Sequence, residues 1–430
     1  MTPGPDRIPA IGGTRLIPAP DPIAAEYLLL GLRVGQHLPD LIDGYYGPAD
    51  LKARADMEQL RPPRRLLDDI ASLSERVRVE VDDDDRRDWL TAQLGALDAH
   101  VLALAGEPLR YLDYVERCMG FPPRRHADGE FDAAASEVDT LLPGSGSLVE
   151  RLEAFDRQLE IPVDRIAAVA EWLLERFRDR AASLFGLPEG EEVRVALVRE
   201  RPWIAYDWYL GALRSRVELN VDLPVTALDL IVTLGHEAYP GHHLEAAWHE
   251  TDLVERLGRL EASMILTSTP EGPVSEGLAR YGTRFASPPD ERAALIAECM
   301  QVAAGPGAAD AGAIQEIAEI AEVAVRLAPE RDRLEGATDE AAIRLHADGA
   351  SREDVLGYLR AVGRYRPDVA AKRLAFIDDP LSRLYVFAYE GGEALVTSWV
   401  ETAETPDQVG RFGRLLHEQV TPGRLLVERA

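Results

Sequence analysis

From about residue 22 to residue 185, apolar positions recur at three- and four-residue intervals, the spacing of one helix face. The stretch DPIAAEYLLLGLRVGQHLPDLI opens on an aspartate suited to cap a helix, and DRRDWLTAQLGALDAHVLAL repeats the pattern. FDAAASEVDTLLP and IPVDRIAAVAEWLLERFRDRAASLFG continue it, joined by PGSGSL, which reads as a turn or cap because no GK[ST] follows it. YYGPADL reads as a proline-containing turn before a helix. After Leu187 the period changes. EEVRVALVRE and RSRVELNVDLP alternate apolar and polar residues, which predicts one or two strands, with Val217, Leu219 and Val221 on one face and Glu218 and Asn220 on the other. Helical spacing returns in TALDLIVTLGHEA and persists through ERAALIAECMQVAAG, AGAIQEIAEIAEVAVRLAPE, SREDVLGYLRAVG, DDPLSRLYVFAYEGGEALVTSWVE and PDQVGRFGRLLHEQV. The expectation is a mostly α protein with a small sheet before one special helix. It divides into a loose arm over 1–21, a helical region over 22–185 and a second region over 186–430, the last two packed as one interwoven unit.

The 430 residues, 46% of them hydrophobic, are enough for a large core. The formal net charge of −28 repels phosphate backbones and anionic membranes, so nucleic acid and membrane are poor partners. The two cysteines, Cys118 and Cys299, lie far apart and outside any CxxC, which predicts buried free thiols in a reducing compartment. The Pro- and Gly-rich start lacks the basic and apolar blocks of a signal peptide. No apolar run approaches the roughly 18–20 residues that span a bilayer. A cytoplasmic protein is expected. GxSxG, GxGxxG and phosphate-loop motifs are missing, which leaves serine hydrolases, dinucleotide enzymes and NTPases without support.

Four of the nine histidines fall within LGHEAYPGHHLEAAWHE, residues 234–250. A hydrolytic zinc site keeps three protein ligands and one open position. In HExxH the two histidines stand one helical turn apart, about 6 Å. Here the second histidine comes six or seven residues after His236. On an unbroken helix His242 would point about 120° away, and His243 would lie about 10 Å along the axis. Pro240 removes a helix N–H and clashes with the preceding turn. Gly241 tolerates the bend that results. The pair therefore predicts a bulge or break that returns His242 or His243 to His236, with Glu237 placed as general base for a metal-activated water. Glu271 and Glu276 in TSTPEGPVSEGLARYGTRF are the carboxylates within reach as third ligand. Glu276 is preferred, because it opens an apparent helix whereas Glu271 lies in a Pro/Gly-rich turn. His249 has no required role.

HEAYPGHHLE resembles the HEAxPGHHLQ signature of the domain-of-unknown-function 885 family, mostly helical proteins related to the gluzincin metallopeptidases. SEGLARYG is similar to that family's EGWALY segment, and LYVFAYEGGEALV to its C-terminal tyrosine-glycine segment. The resemblance spans about residues 200 to 400. It implies a zincin-like fold, a zinc ion held by His236, one of the paired histidines and Glu276, and Glu237 as base. A more distant likeness to the carboxypeptidase Taq family, whose motif is HExGH, favours His242 as the second histidine. Leu278 stands where tryptophan is usual, Glu245 where glutamine is usual, and Arg280 where an acid could brace a ligand. Glu245 is the remaining candidate to orient a zinc-bound histidine.

An acyl-transfer site also needs an oxyanion donor. Tyr389 is the first candidate and Tyr385 the second. Arg364 and Arg366 could bind a terminal carboxylate, although surface ion pairing suits them better. The strand in RSRVELNV could pair with an extended substrate, and WIAYDWYLG reads as core or cleft lining. The function expected is a zinc-dependent hydrolase, a metallopeptidase acting on short peptides. The alternatives are a metal-dependent amidohydrolase of acylated amino acids and a non-catalytic helical binding protein with a vestigial metal site.

Overall fold

A computed structural model describes residues 21–201, 203–305 and 311–428. The arm expected over 1–21 falls outside these except for Asp21, which caps the first helix by accepting from the Ala24 N–H at 2.8 Å. The fold is mostly α, with two small sheets. Helices occupy the predicted periodic stretches, including Pro22–Gly35, Asp84–Leu104, Val163–Phe185, Arg292–Ala304 and Ser382–Val400. Ser147 in PGSGSL caps the helix Leu148–Asp156 through a reciprocal pair of bonds with Glu150. Cys118 and Cys299 are free and buried. Among the described residues, no helix is long and apolar enough to cross a membrane.

Among the described residues five strands form, more than alternation predicted. Strands β1 (Ile42–Tyr45) and β5 (Met264–Leu266) pair antiparallel, tying the N-terminal helices to the middle of the chain. Strands β2 (Glu192–Val198), β3 (Ala205–Tyr209) and β4 (Arg214–Asn220) make a second sheet in the order β2-β4-β3, with β4 parallel to β2 and antiparallel to β3. The alternation in β4 is real, since Val217, Leu219 and Val221 are buried. Glu218 on the opposite face is buried as well, held by Arg216 at 2.5 Å. β4 is the central strand, so it offers no free edge to a substrate; β2 and β3 are the edges, and β3, from WIAYDWYLG, is a strand that sequence reasoning missed.

Among the described residues, two large apolar clusters and one small one organise the helices. One large cluster unites Val115, Phe131 and Phe177 with Leu230, Leu278 and Trp399. The other large one gathers Tyr27, Leu66 and Trp89 around Leu253, Met264 and Leu266. A fully buried Leu or Phe contributes about 1.5–3 kcal/mol, and an exposed ion pair about 0–1 kcal/mol. The helices that carry the site are therefore placed by packing rather than by the many arginine–carboxylate pairs on the surface. Arg364 and Arg366 belong to those pairs, facing Asp132 at 3.5 Å and Glu153 at 3.1 Å.

Candidate metal centre

The first histidine helix, Ala227–Glu237, starts at a capping box: Thr226 Oγ1 accepts from the Asp229 N–H at 3.1 Å and Asp229 Oδ2 accepts from the Thr226 N–H at 3.0 Å. It ends at Ala238. A cis Tyr239–Pro240 peptide follows, then Gly241, and a second histidine helix runs over His242–Trp248. The chain thus breaks fully here. A Cβ on Gly241 would lie 1.7 Å from the carbonyl oxygen of His236 and 2.7 Å from that of Gly235. Only a glycine lets the start of the second helix rest on the end of the first, and that contact cancels the over-long spacing.

His236 Nε2 and His242 Nε2 are brought to 3.1 Å. Glu276 Oε2 lies 3.3 Å from the first and 4.0 Å from the second. Among the described residues, these three form the group whose donor atoms cluster closely enough to hold one ion. Glu276 sits on the helix Glu271–Ala286, which begins five residues earlier than the sequence indicated. Pro273 is compatible with the first turn, where N–H groups have no helical partner, so the Pro/Gly-rich segment is itself helical. Glu271 is the first residue of that helix and lies outside the cluster.

The glutamate helix packs on the helix Ser382–Val400, where YEGGEA is mid-helix. The backbones touch: a Cβ on Gly277 would meet the Gly392 oxygen at 2.2 Å, and one on Gly392 the Pro273 oxygen at 2.2 Å. This crossing delivers Tyr385, whose hydroxyl donates to Glu276 Oε1 at 2.6 Å. Tyr385 therefore holds a candidate ligand and is not free for an oxyanion. Tyr389, one turn on, stacks edge-on against Tyr385 with centroids 5.5 Å apart. Its hydroxyl makes no hydrogen bond among the described residues, and the charges of Glu276 and Glu237 reach it. Glu237, half-buried, likewise has no hydrogen-bond partner among the described residues.

His243 turns away. Its Nε2 lies 3.0 Å from Glu191 Oε2, which also accepts from the Tyr239 hydroxyl, while Arg178 pairs with Glu191 Oε1 at 2.6 Å. This buried knot anchors the turn on its core side, and burial holds the His243 ring below its usual pKa. His249 is half-buried and takes no part in the cluster. Arg280 pairs with Glu393 at 2.7 Å and stays away from the cluster. On the other side, Ser275 Oγ is 3.2 Å from His242 Nδ1 and 2.5 Å from Glu245 Oε2.

The surroundings are acidic. Burial together with neighbouring carboxylates raises Asp207, on β3 and near Glu237, to about 8. Asp43 on β1 is exposed to solvent, accepts from the Tyr206 hydroxyl and faces the charges of His242, Glu276 and Glu237. Burial and Glu245 raise Glu271 to about 8. For Glu276, burial is outweighed by His236, His242 and the Tyr385 hydroxyl, which bring it down to about 2. For His242, burial is outweighed by Glu245, Glu276 and Glu237, which lift it to about 10. Sequence reasoning found none of Asp43, Asp207 or Ser275. Only Ser275 had a signal, its place just before Glu276.

The donor set fits zinc. Bonds of about 2.0–2.1 Å in a tetrahedron put neighbouring donors about 3.3 Å apart. Two of the three separations here, 3.1 and 3.3 Å, match that value. Glu276 Oε2 is buried and, among the described residues, meets no hydrogen-bond geometry, while its other oxygen is satisfied. A buried carboxylate oxygen facing two imidazole nitrogens with no donor of its own is what a cation would complete.

No family model matches the chain, and no curated protein matches it. Among solved structures it is similar to a protein of Colwellia psychrerythraea, with 14% identity and a TM-score of 0.51 over 85% of this chain. The chain spans 65% of the length of that protein. A protein of Shewanella oneidensis aligns over 94% of this chain and 81% of its own, with 12% identity and a TM-score of 0.48. Both carry the word lipoprotein in their names, the second with function unknown. The first likeness concerns the fold alone.

Proposed function

We propose that this protein is a zinc-dependent hydrolase of amide bonds, a metallopeptidase acting on short peptides. The observation that supports this most directly is the His236–His242–Glu276 triangle with the unpartnered Glu237 beside it. His236, His242 and Glu276 would hold the ion. A zinc ion bound there supplies Lewis acidity, polarising a carbonyl oxygen and acidifying water. Glu237 accepts the proton of the attacking water and returns it to the departing nitrogen. Tyr389 offers its hydroxyl to the oxygen of the tetrahedral intermediate. Tyr385 keeps Glu276 turned toward the imidazoles. The buried free cysteines agree with a reducing, cytoplasmic setting. The reading agrees with the resemblance to the domain-of-unknown-function 885 family.

The test is elemental analysis of protein purified without chelator or histidine tag, joined to a peptide panel read by mass spectrometry. About one zinc per chain is expected, lost in His236→Ala, His242→Ala and Glu276→Ala but kept in Glu237→Gln. Glu237→Gln should lower peptide turnover by about 10²–10⁴-fold. Turnover by that variant at the wild-type rate would remove the general base. A wild type that takes up no zinc would remove the metal site altogether.

A further inference from the structure

The two helices that carry His242 and Glu276 are joined by one short chain of polar contacts. Ser275 Oγ lies 2.5 Å from Glu245 Oε2 and 3.2 Å from His242 Nδ1. Glu245 is 7% exposed and sits three residues after His242 on the same helix. Ser275 immediately precedes Glu276 on the other helix. The direct separation from His242 Nδ1 to Glu245 Oε2 is 3.7 Å, too long for a hydrogen bond, so the serine is the link.

The donor inventory fixes the direction of this chain. A carboxylate only accepts, and a serine hydroxyl has one hydrogen. That hydrogen goes to Glu245, so the hydroxyl presents a lone pair to His242. Nδ1 of His242 must then carry hydrogen and donate it, leaving the Nε2 lone pair for the ion beside His236 and Glu276. A glutamine at position 245, the residue in the signature that this segment resembles, would not enforce this. Its amide can donate as well as accept, and the serine could then turn its hydrogen toward Nδ1.

We propose that Ser275 and Glu245 form a positioning relay that commits His242 to ligation through Nε2 and locks its ring against the Glu276 helix. The proposal rests on the zinc reading of the site. The relay touches neither substrate nor reacting atoms. Its effect is on the orientation and basicity of one ligand, and such outer partners typically carry 10–100-fold in metal affinity.

Zinc affinity is measured by competition with a chromophoric chelator for wild type, Ser275→Ala, Glu245→Gln, the double variant and Ser275→Thr. Melting of the metal-free proteins is the folding control. Ser275→Ala and Glu245→Gln should each weaken zinc binding by about 10–100-fold. The double variant should be no weaker than the poorer single, because both changes cut one chain. Ser275→Thr should restore affinity, which a role in packing alone would not produce. In the zinc-bound wild type labelled with ¹⁵N-histidine, His242 should show a slowly exchanging Nδ1 proton that exchanges faster in Ser275→Ala. If wild type binds zinc and the single variants match it, or if their losses simply add, the relay falls and the metal site stands. If wild type binds no zinc, the metal reading falls and the relay goes with it.

Discussion

Replacing Gly241 by alanine adds one methyl group at the point where the two histidine helices meet. That carbon would stand 1.7 Å from the His236 carbonyl oxygen and 2.4 Å from its carbonyl carbon. Both obstacles are backbone, so no rotamer relieves the clash. Carbon and oxygen atoms settle no closer than about 3 Å, so one helix must move by at least about 1.3 Å. Metal sites tolerate errors of about 0.2 Å in ligand distance. The His236–His242 separation of 3.1 Å cannot survive such a shift. Zinc affinity should fall by at least about 10²-fold, more than an outer-partner change produces, and overpacking should cost about 1–3 kcal/mol of stability. Gly235→Ala is the matched control: its Cβ would meet Ala286 and Thr283 at 3.4 Å, an ordinary contact. Chelator competition and thermal melting on both variants decide the matter. Gly241→Ala with wild-type affinity and melting temperature would refute the claim that this contact sets the ligand spacing.

The adjacent histidines should behave oppositely. His243→Ala strips the buried Glu191 of a partner and should destabilise the metal-free protein by about 3 kcal/mol, whereas His242→Ala should leave metal-free melting nearly unchanged and abolish zinc uptake. Equal stability of the two variants would contradict the roles assigned here. Tyr389→Phe should lower kcat about 10²-fold with KM and metal content preserved, and a loss confined to KM would instead assign the hydroxyl to substrate binding. Asp207 has a folded pKa of about 8 against an ordinary 3.8, so the folded state binds more protons between those values. Stability of the metal-free protein should then decrease as pH rises from about 4 to about 8 and level off above. Asp207→Asn should stabilise it by about 1–3 kcal/mol at pH 8, after discount for water in the cleft, and much less at pH 4. Identical pH profiles from chemical denaturation would show that Asp207 titrates normally.

The helices and the members of the His236–His242–Glu276 cluster were legible in the chain because their causes are local. Apolar spacing of three and four residues makes a helix face wherever it is placed, and Asp21, Ser147 and Thr226 announce helix starts through bonds to residues three positions away. The cluster of histidines around Pro240 and Gly241, with a glutamate in SEGLARYG, likewise marks a candidate site in the sequence itself. Tertiary structure decided what neighbours in sequence cannot. His242 and His243 are consecutive, about 100° apart on a helix, and only the seating of Gly241 on the His236 carbonyl determines which one faces Glu276 and which faces Glu191. Tyr385 and Tyr389 lie one turn apart, and the Gly277–Gly392 backbone contact places the first, not the second, on Glu276. Asp43, Asp207 and Ser275 come from a short strand, a sheet edge and a helix turn without any pattern of their own. They stand near the cluster only in the folded chain, where distance in space sets which charges meet, and a single sequence does not encode that position by position.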